Sequence, residues 1–337
     1  MPDLNGLWSN FMLRITKNLI TALACSAALY ATTTNEVISR SYIAKYLGKV
    51  SESEWEKRGS HGEVITIYNN GITVCENYLE GRLQGRTTHT YPHSDKVAQV
   101  RLFEEGRLLK EVNYYPSNLI KQEITFNTSS PGTRTIKNYR EDGTINAVET
   151  FQGSFIVEGQ YFDAKAKFLS SITLGAGERS FVDECGKITF TENVINGAIV
   201  QRTSYYPNGS VKNRISFKNN QIEGTSQHFL PSGAPTRIEL WVAGKQNGTT
   251  TLFERGEKTI EITFINGKKN GLEKRFKNSS TIAEEISWNE GVRDGASTIY
   301  ANGEGFTTWY FEGKKVNQMT YDVLSLTRTK KSPLQKK

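Results

Sequence analysis

The chain contains 337 residues, of which 36% are hydrophobic, 23% are charged and 29 are glycine. With glycine included, the apolar share is about 45%, at the low end of the range for globular proteins. This composition excludes a polytopic membrane protein, a collagen and a largely disordered chain.

The net charge of +7 is unevenly distributed along the chain. Residues 321–337 contain five basic residues and one acidic residue, so more than half of the excess charge lies at the carboxyl terminus. We therefore predict a flexible basic tail for residues 321–337. The body of the chain carries too little charge to predict a nucleic-acid partner.

Residues 1–31 are predicted to be an export signal. Arg14 and Lys17 precede an uncharged run, Leu19–Ala31, which ends in small residues suitable for cleavage. Basic residues before a short apolar run are typical of secretory signals, and this run is too short to span a bilayer well. The protein would then be periplasmic, outer-membrane or secreted, with lipid attachment at Cys25 as an alternative form of export. A buried amphipathic helix in a cytoplasmic protein is the alternative to export.

Residues 32–54 are predicted to cap the amino-terminal end of the fold. Within the stretch 36–56, Ile38, Tyr42, Tyr46 and Leu47 recur at helical spacing. A short helix here would prevent further strand pairing at that end.

A repeat occupies residues 55–320, and its first anchor is an aromatic residue followed by glycines three and seven residues later. Weaker copies occur at Trp55, Phe103, Phe126, Phe151, Phe217 and Tyr310. The strong copies are Tyr78, Gly81 and Gly85; Trp241, Gly244 and Gly248; Phe264, Gly267 and Gly271; and Trp288, Gly291 and Gly295.

A second anchor, an aromatic residue followed by a turn, falls midway between the first anchors. Tyr206 with Gly209 and Tyr300 with Gly303 are clear examples. Successive second-anchor aromatics are 23 or 24 residues apart, and one degenerate copy is predicted between residues 181 and 186. About eleven units of this length fill residues 55–320.

Each unit is long enough for two short strands and two turns. Asn-Gly pairs favour tight hairpins, because glycine and asparagine tolerate positive φ angles. Between the turns the apolar residues alternate, as in Thr259–Phe264. The predicted fold is therefore all-β: an elongated, single-layer, antiparallel array of β-hairpins with a short amino-terminal helical segment.

These anchors resemble the MORN repeat, particularly its bacterial variant, which is common in exported proteins and often carries an antitoxin-like label. The resemblance covers residues 55–320 and is most specific between Tyr206 and Gly313. Between residues 126 and 197 it is looser, and we expect the array to be bent or interrupted there. The resemblance implies protein binding, scaffolding or attachment to membrane lipid, and it implies no catalytic residues.

The cysteines and histidines predict neither a disulfide nor a metal site. Cys75 and Cys185 are nearly five units apart, so we predict free thiols. His89 and His93 have the spacing of helical metal ligands, but Pro92 opposes a helix. On a strand these histidines would stand about 13 Å apart, too far to share an ion. No cofactor-binding motif or small-molecule substrate is predicted.

Four aromatic residues immediately beside an anchor are the candidate interaction face. Successive side chains of a strand point to opposite faces, so these residues should leave the core face. The alternative is that they cover the back of the sheet or pack beneath terminal segments. The four residues are Tyr114, Tyr161, Tyr205 and Trp309.

The sequence thus predicts a non-enzymatic protein-binding or scaffold protein whose partner is another protein. One alternative is a peripheral lipid-binding protein that uses Lys268, Lys269, Lys314 and Lys315 in the turns together with the basic tail. A second alternative is an unrecognised hydrolase or carbohydrate-acting enzyme with a site assembled across several repeats.

Overall fold

The structure is a computed structural model that describes residues 36–330, with side chains up to Arg328. The predicted export signal, with Cys25, lies outside the described residues. The chain divides into a first unit that ends at Arg107 and a second unit that begins at Leu108. Each unit is an antiparallel sheet of consecutive hairpins, which confirms the predicted all-β hairpin array.

The first unit contains seven strands and one short helix among the residues described. Strand β1 pairs with β2 and β3, β3 with β4, β4 with β5 and β6, and β6 with β7. Its elements are β1 (Val37–Ala44), β2 (Gly48–Val50), α1 (Glu52–Lys57), β3 (Gly62–Tyr68), β4 (Thr73–Leu79), β5 (Arg82–Leu83), β6 (Gly85–Thr90) and β7 (Val97–Glu104).

The second unit contains the remaining strands of the described chain and a carboxyl-terminal helix. Its early strands are β8 (Arg107–Tyr114), β9 (Ile120–Phe126), β10 (Thr133–Tyr139), β11 (Ile145–Gln152), β12 (Phe155–Phe162), β13 (Phe168–Thr173), β14 (Ala176–Val182), β15 (Ile188–Ile195), β16 (Ala198–Tyr205), β17 (Val211–Lys218) and β18 (Gln221–Phe229). Its later elements are β19 (Pro235–Val242), β20 (Lys245–Gln246), β21 (Gly248–Glu254), β22 (Glu257–Ile265), β23 (Lys268–Lys269), β24 (Gly271–Phe276), β25 (Ile282–Asn289), β26 (Val292–Ala301), β27 (Glu304–Phe311), β28 (Lys314–Val316) and α2 (Gln318–Lys330).

Of the bend or interruption expected between residues 126 and 197, the interruption is wrong. Strands β9 to β16 pair antiparallel in chain order without interruption. The degenerate copy closes as a hairpin in which Phe181 pairs with Phe190, and the Gly186 amide donates to the Asp183 carbonyl. Main-chain pairing tolerates the altered anchors because it does not require the aromatic side chains.

The amino-terminal helix is placed incorrectly by the sequence pattern. Residues 37–44 and 48–50 form strands, and the helix begins only at Glu52, after the capping residue Ser51. Pairing of β1 with β3 outweighs the helical spacing, and Ile38, Tyr46 and Leu47 are exposed. The weak anchor at Trp55 is also not a hairpin, because this residue lies in α1 and is buried there.

The predicted flexible tail is wrong up to residue 330. Residues 318–330 form α2, which packs on β27, and residues 331–337 lie outside the described part of the chain. Charge composition missed this helix because its stability comes from contacts with the sheet. Within residues 36–330, no helix is both long enough and apolar enough to cross a membrane.

Two kinds of turn alternate along the array, as the anchors predict. After Trp241, Ala243 and Gly244 both have positive φ, at 47° and 74°, and Val242 pairs with Lys245. This is the two-residue turn whose twist matches that of the adjoining strands. After Tyr206, the Gly209 amide donates to the Tyr206 carbonyl, and the pairing register shifts between Ser204 and Tyr205. Here a longer turn ends in a bulge that requires a positive φ angle, which glycine adopts readily.

The two faces of the second unit differ in burial. Strand partners share a face, and the register pairs Gly248 with Phe264 and Gly271 with Trp288. We call the face that carries Phe264 and Trp288 the aromatic face, and the opposite one the reverse face. The largest buried cluster lies on the aromatic face and comprises Ala147, Ile156, Tyr161, Ile172 and Val194.

Candidate interaction face

Tyr161 cannot belong to an exposed face. It is 0% exposed, and its hydroxyl donates to Glu149 Oε1 at 2.6 Å. Burial, followed by the neighbouring Glu149 carboxylate, raises the pKa of Tyr161. Tyr161 pairs with Ala147 of the buried cluster, so both side chains face the core. Its selection as an interaction residue is therefore wrong.

The other three candidate residues do not form one exposed aromatic row. Tyr114 is half-buried at the end of β8. Tyr205 lies on the reverse face, where its hydroxyl is 3.4 Å from the Thr191 hydroxyl. Trp309 also lies on the reverse face, but Tyr321 of α2 covers it, with ring centroids 5.0 Å apart. The structure therefore places Trp309 beneath a terminal segment.

Charged side chains are buried on the aromatic face of the early second unit. Arg179 donates to Glu149 from Nε at 2.8 Å and from its terminal nitrogen at 2.7 Å. It also contacts Glu192 Oε2 at 2.5 Å, and Arg202 donates to the other Glu192 oxygen from Nε at 2.7 Å. The four residues alternate in charge and sum to zero, so each buried carboxylate is compensated.

Aromatic rings enclose this ionic cluster. The Arg179 guanidinium lies 5.2 Å from the Phe181 ring centre, and that of Arg202 lies 5.4 Å from the Phe190 ring centre. Burial lowers the pKa of Arg179, but Glu149, Tyr161 and Glu192 together outweigh burial and raise that pKa. The cluster links side chains of β11, β14, β15 and β16, and each charge is paired within the sheet.

A second polar group on this face contains His228. Its Nε2 is 3.1 Å from the Ser226 hydroxyl, 3.3 Å from an Arg237 nitrogen and 3.8 Å from Glu239 Oε2. All three contacts meet the same ring nitrogen, whereas a Ser-His-acid relay needs the acid on the other one. Burial, followed by Arg237, lowers the pKa of His228 to about 4, and burial raises that of Glu239.

Two of the lysines considered for lipid binding already have partners. Lys269 contacts Glu273 Oε2 at 2.8 Å and lies 4.4 Å from the Trp288 ring centre. Burial alone would raise the pKa of Glu273, but hydrogen bonds from Lys269 and Arg275 lower it. Lys268 forms an exposed ion pair with Glu290 at 2.8 Å.

In the first unit, an open groove of about 380 Å³ lies beside β1. Its polar groups already have partners, since Tyr42 donates to Glu52 and Arg40 donates to Thr66 at 3.3 Å.

In the second unit, Cys185 is an exposed free thiol, and in the first unit Cys75 is a half-buried one, as the sequence predicts. Among residues 36–330, no group of three or more histidine, cysteine and acidic side chains is arranged to hold a metal ion.

The reverse face of the later second unit carries exposed aliphatic side chains in consecutive hairpins. Leu240, Val242 and Ile265 adjoin Trp241 and Phe264 in sequence, so strand alternation places them on the face opposite these aromatic residues. Leu272 and Val292 pair with Ser287 and Asn289, which flank Trp288, so they lie on that same face. Each is between 40% and 49% exposed. We call this set the aliphatic stripe, and it comprises Leu240, Val242, Ile265, Leu272 and Val292.

Lysines border the aliphatic stripe along the turns. Lys245 pairs with Val242, and Lys268 pairs with Ile265, so both lysines share the reverse face. Both are exposed. The arrangement provides an apolar surface with a basic margin, which suits binding of a protein surface more than chemistry on a small molecule.

Sequence reasoning missed both the buried carboxylates and the aliphatic stripe. Glu149 and Glu239 stand two residues before an anchor aromatic, a position that Ile262 and Ile286 fill in other repeats. Where some repeats carry a carboxylate at a position that other repeats fill with isoleucine, the carboxylate is expected to be buried and paired. For the stripe, the available signal was the aliphatic residue directly after the aromatic in Trp241-Val242 and Phe264-Ile265.

No protein-family model and no curated protein sequence matches this chain. Among solved structures, a porin-like protein from Bacteroides uniformis is 10% identical, with 74% of this chain and 89% of that chain covered and a TM-score of 0.16. Sqt1 from Saccharomyces cerevisiae is 12% identical, with 76% and 82% covered and a TM-score of 0.16. At these TM-scores neither similarity carries a conclusion about fold or function.

Proposed function

We propose that this chain is a non-enzymatic protein-binding or scaffold protein of the MORN-repeat type, and that it binds its partner through the aliphatic stripe. The stripe is the observation that carries the proposal. Five aliphatic side chains, each about two-fifths to one-half exposed, share one face of a regular sheet. Several exposed aliphatic side chains on one face of a sheet are typical of interaction sites in soluble proteins.

The geometry favours a protein partner over a small molecule. The stripe lies on an open sheet face, whereas small-molecule sites are concave and enclose most of their ligand. It also crosses several repeats, so binding energy would be distributed over a broad surface. The basic margin at Lys245 favours a partner with acidic residues around its apolar centre.

Quantitative binding to a purified partner tests the proposal. Partners captured by the wild-type chain would be identified by mass spectrometry, purified and titrated against the variant V242S/I265S. Loss of two half-exposed aliphatic side chains should cost about 2 kcal/mol, which is roughly a 30-fold weaker Kd. The matched control is Thr251→Ser, which changes a residue on the reverse face outside the stripe.

The outcomes separate the alternatives. Equal affinity of V242S/I265S and wild type for every purified partner would refute the stripe as the binding site. Binding to anionic vesicles that is unaffected by V242S/I265S would instead support the lipid-binding alternative. Turnover of an ester or glycoside substrate by the purified chain would support the enzymatic alternative.

We also propose export of the protein, on the basis of the charge and hydropathy pattern of residues 1–31. Cell fractionation followed by amino-terminal sequencing tests this. An unprocessed chain in the cytoplasm would contradict it, and a lipid-modified Cys25 at the mature terminus would identify the lipid-anchored form.

A further inference from the structure

We propose that the partner element that binds the aliphatic stripe is an amphipathic α-helix, seated on the reverse face as α2 is seated on the last hairpin. This inference rests on the proposed function, because it names the partner of the same surface. Two features of the chain support it: the contact of α2 with the last hairpin, and the equivalence of residue positions in successive repeats.

Helix α2 shows how the reverse face binds a helix. Tyr321 packs against Trp309, with centroids 5.0 Å apart, and against Phe311, with centroids 6.2 Å apart. Arg328, two turns later, contacts Asp294 and lies 5.2 Å from the Phe311 ring centre. An aromatic pair and one carboxylate therefore hold the helix on the sheet.

Earlier repeats present the same positions without a helix. Trp309 and Phe311 flank the anchor residue Tyr310, as Leu240 and Val242 flank the anchor Trp241. Both flanking pairs point to the reverse face, because side chains alternate along a strand. In the last hairpin α2 covers this pair, whereas Leu240 and Val242 are 40% and 49% exposed.

The dimensions of the stripe suit a helix of ordinary length. Going from β19 to β26 across β21, β22, β24 and β25 takes five strand spacings, or about 24 Å. A helix of about 16 residues has this length. An extended peptide would leave its backbone N–H and C=O groups unpaired here, since a sheet face presents side chains and not a free strand edge.

The occupant is assigned to a partner protein and not to α2 of a second copy. The outward side of α2 is apolar, with Met319, Val323 and Leu326 between 56% and 78% exposed. However, the helix leads into a terminus rich in lysine, which Lys245 at the margin of the stripe would repel. The stripe therefore fits a helix with an apolar side flanked by acidic residues.

A charge-removal experiment tests the seating. Asp294 precedes Gly295, the strand partner of Tyr310, and beside Leu240 and Val242 the same position is filled by Glu223, which precedes Gly224, the strand partner of Trp241. The probe is a synthetic peptide of residues 317–330 with a hydrocarbon bridge between positions 320 and 327, and it is titrated against the full chain. The Glu223→Gln chain should bind the peptide three- to tenfold more weakly, because it no longer offers a carboxylate to the arginine of the peptide.

The arginine and the helical form are each tested by one altered peptide. A peptide with Arg328→Gln should bind wild-type and Glu223→Gln chains equally. An unbridged peptide with Leu324→Pro, which cannot form the helix, should bind at least tenfold more weakly than the bridged one. Ile265→Asp and Val242→Lys in the full chain should each weaken binding of the bridged peptide at least tenfold, with circular dichroism unchanged.

The failure of this inference is distinguishable from failure of the proposed function. If V242S/I265S loses its protein partner while the bridged and proline peptides bind the wild-type chain equally, the stripe binds protein but not a helix. If Glu223→Gln leaves the affinity of the bridged peptide unchanged, the equivalence of Glu223 with Asp294 is refuted. If the substitutions change binding of the bridged peptide as expected but do not change binding of the partner protein, the reverse face binds a helix and the proposed function is refuted.

Discussion

Replacing Glu192 by glutamine should destabilise the second unit more than any single exposed charge change. Glu192 is 1% exposed and accepts hydrogen bonds from both Arg179 and Arg202. Glutamine keeps nearly the same volume but removes the charge, and it places an amide donor among guanidinium donors. The change therefore perturbs electrostatics with little effect on packing.

The magnitude follows from the burial of the three groups. Breaking a fully buried ion pair by removing one partner costs about 3–5 kcal/mol. The Arg179 and Arg202 side chains are 17% and 18% exposed, and Arg179 would retain its contact with Glu149 in the variant. We therefore expect Glu192→Gln to lower the free energy of unfolding by about 2–4 kcal/mol.

The assay must report local as well as global stability, because a repeat array can unfold in parts. Amide hydrogen exchange should accelerate in β14 to β16, and the urea midpoint should fall. The matched control is Glu290→Gln, which makes the same chemical change in an exposed pair whose side chains are 58% and 63% exposed. It should cost no more than about 0.5 kcal/mol.

Equal destabilisation by Glu192→Gln and Glu290→Gln would refute the reasoning, because burial would then have no effect on the ion-pair energy. Faster exchange in strands remote from β14 to β16, with those strands unchanged, would also contradict it.

Three further predictions follow from local geometry. Gly177→Ala should destabilise the chain by several kcal/mol, because an added Cβ would lie 2.1 Å from the Ser171 carbonyl oxygen at a φ of +146°. Gly209→Ala should cost only about 1 kcal/mol, because a Cβ added at this φ of +83° would have no atom within 4 Å. Equal losses of unfolding free energy for the two variants in urea melts would contradict this. Because the folded-state pKa of His228 is about 4, below its usual value near 6.5, the unfolded chain binds the additional proton, and stability should fall as pH falls from about 6.5 towards 4. The fall should be about 1–2 kcal/mol greater in wild type than in His228→Gln, and identical pH profiles would exclude this role. Finally, iodoacetamide should modify the exposed Cys185 faster than Cys75, whose pKa burial raises, and mass spectrometry of the alkylated chain would detect a reversed order.

The hairpin array was predictable because turn chemistry is local. Positive φ at Gly244 and Gly209 is required by the turns in which they lie, and their spacing in the sequence reveals the repeat directly. The candidate interaction face was not predictable in the same way. Tyr161 and Tyr205 occupy similar positions beside an anchor, yet Tyr161 is buried and Tyr205 lies on the reverse face.

That difference arises from where each turn begins. The turn begins at Asp163 in the β12–β13 hairpin and at Tyr206 in the β16–β17 hairpin, so Tyr161 stands two residues before its turn and Tyr205 one residue before its turn. One residue of displacement exchanges the two faces, because side chains alternate with a period of two. The aromatic spacing did not reveal this displacement, because it assigns Phe162 to the position that Asp163 occupies in the turn.

The sequence by itself determined the repeat length, the two kinds of turn and the all-β class, since each depends on residues that are neighbours in the chain. Only the tertiary structure decided that residues 37–44 form a strand, that residues 318–330 form a helix, and that Glu192 is buried beside two arginines. These features depend on contacts between residues distant in sequence, such as Arg328 with Asp294. Their free energy comes from packing and charge pairing, which local propensity does not encode.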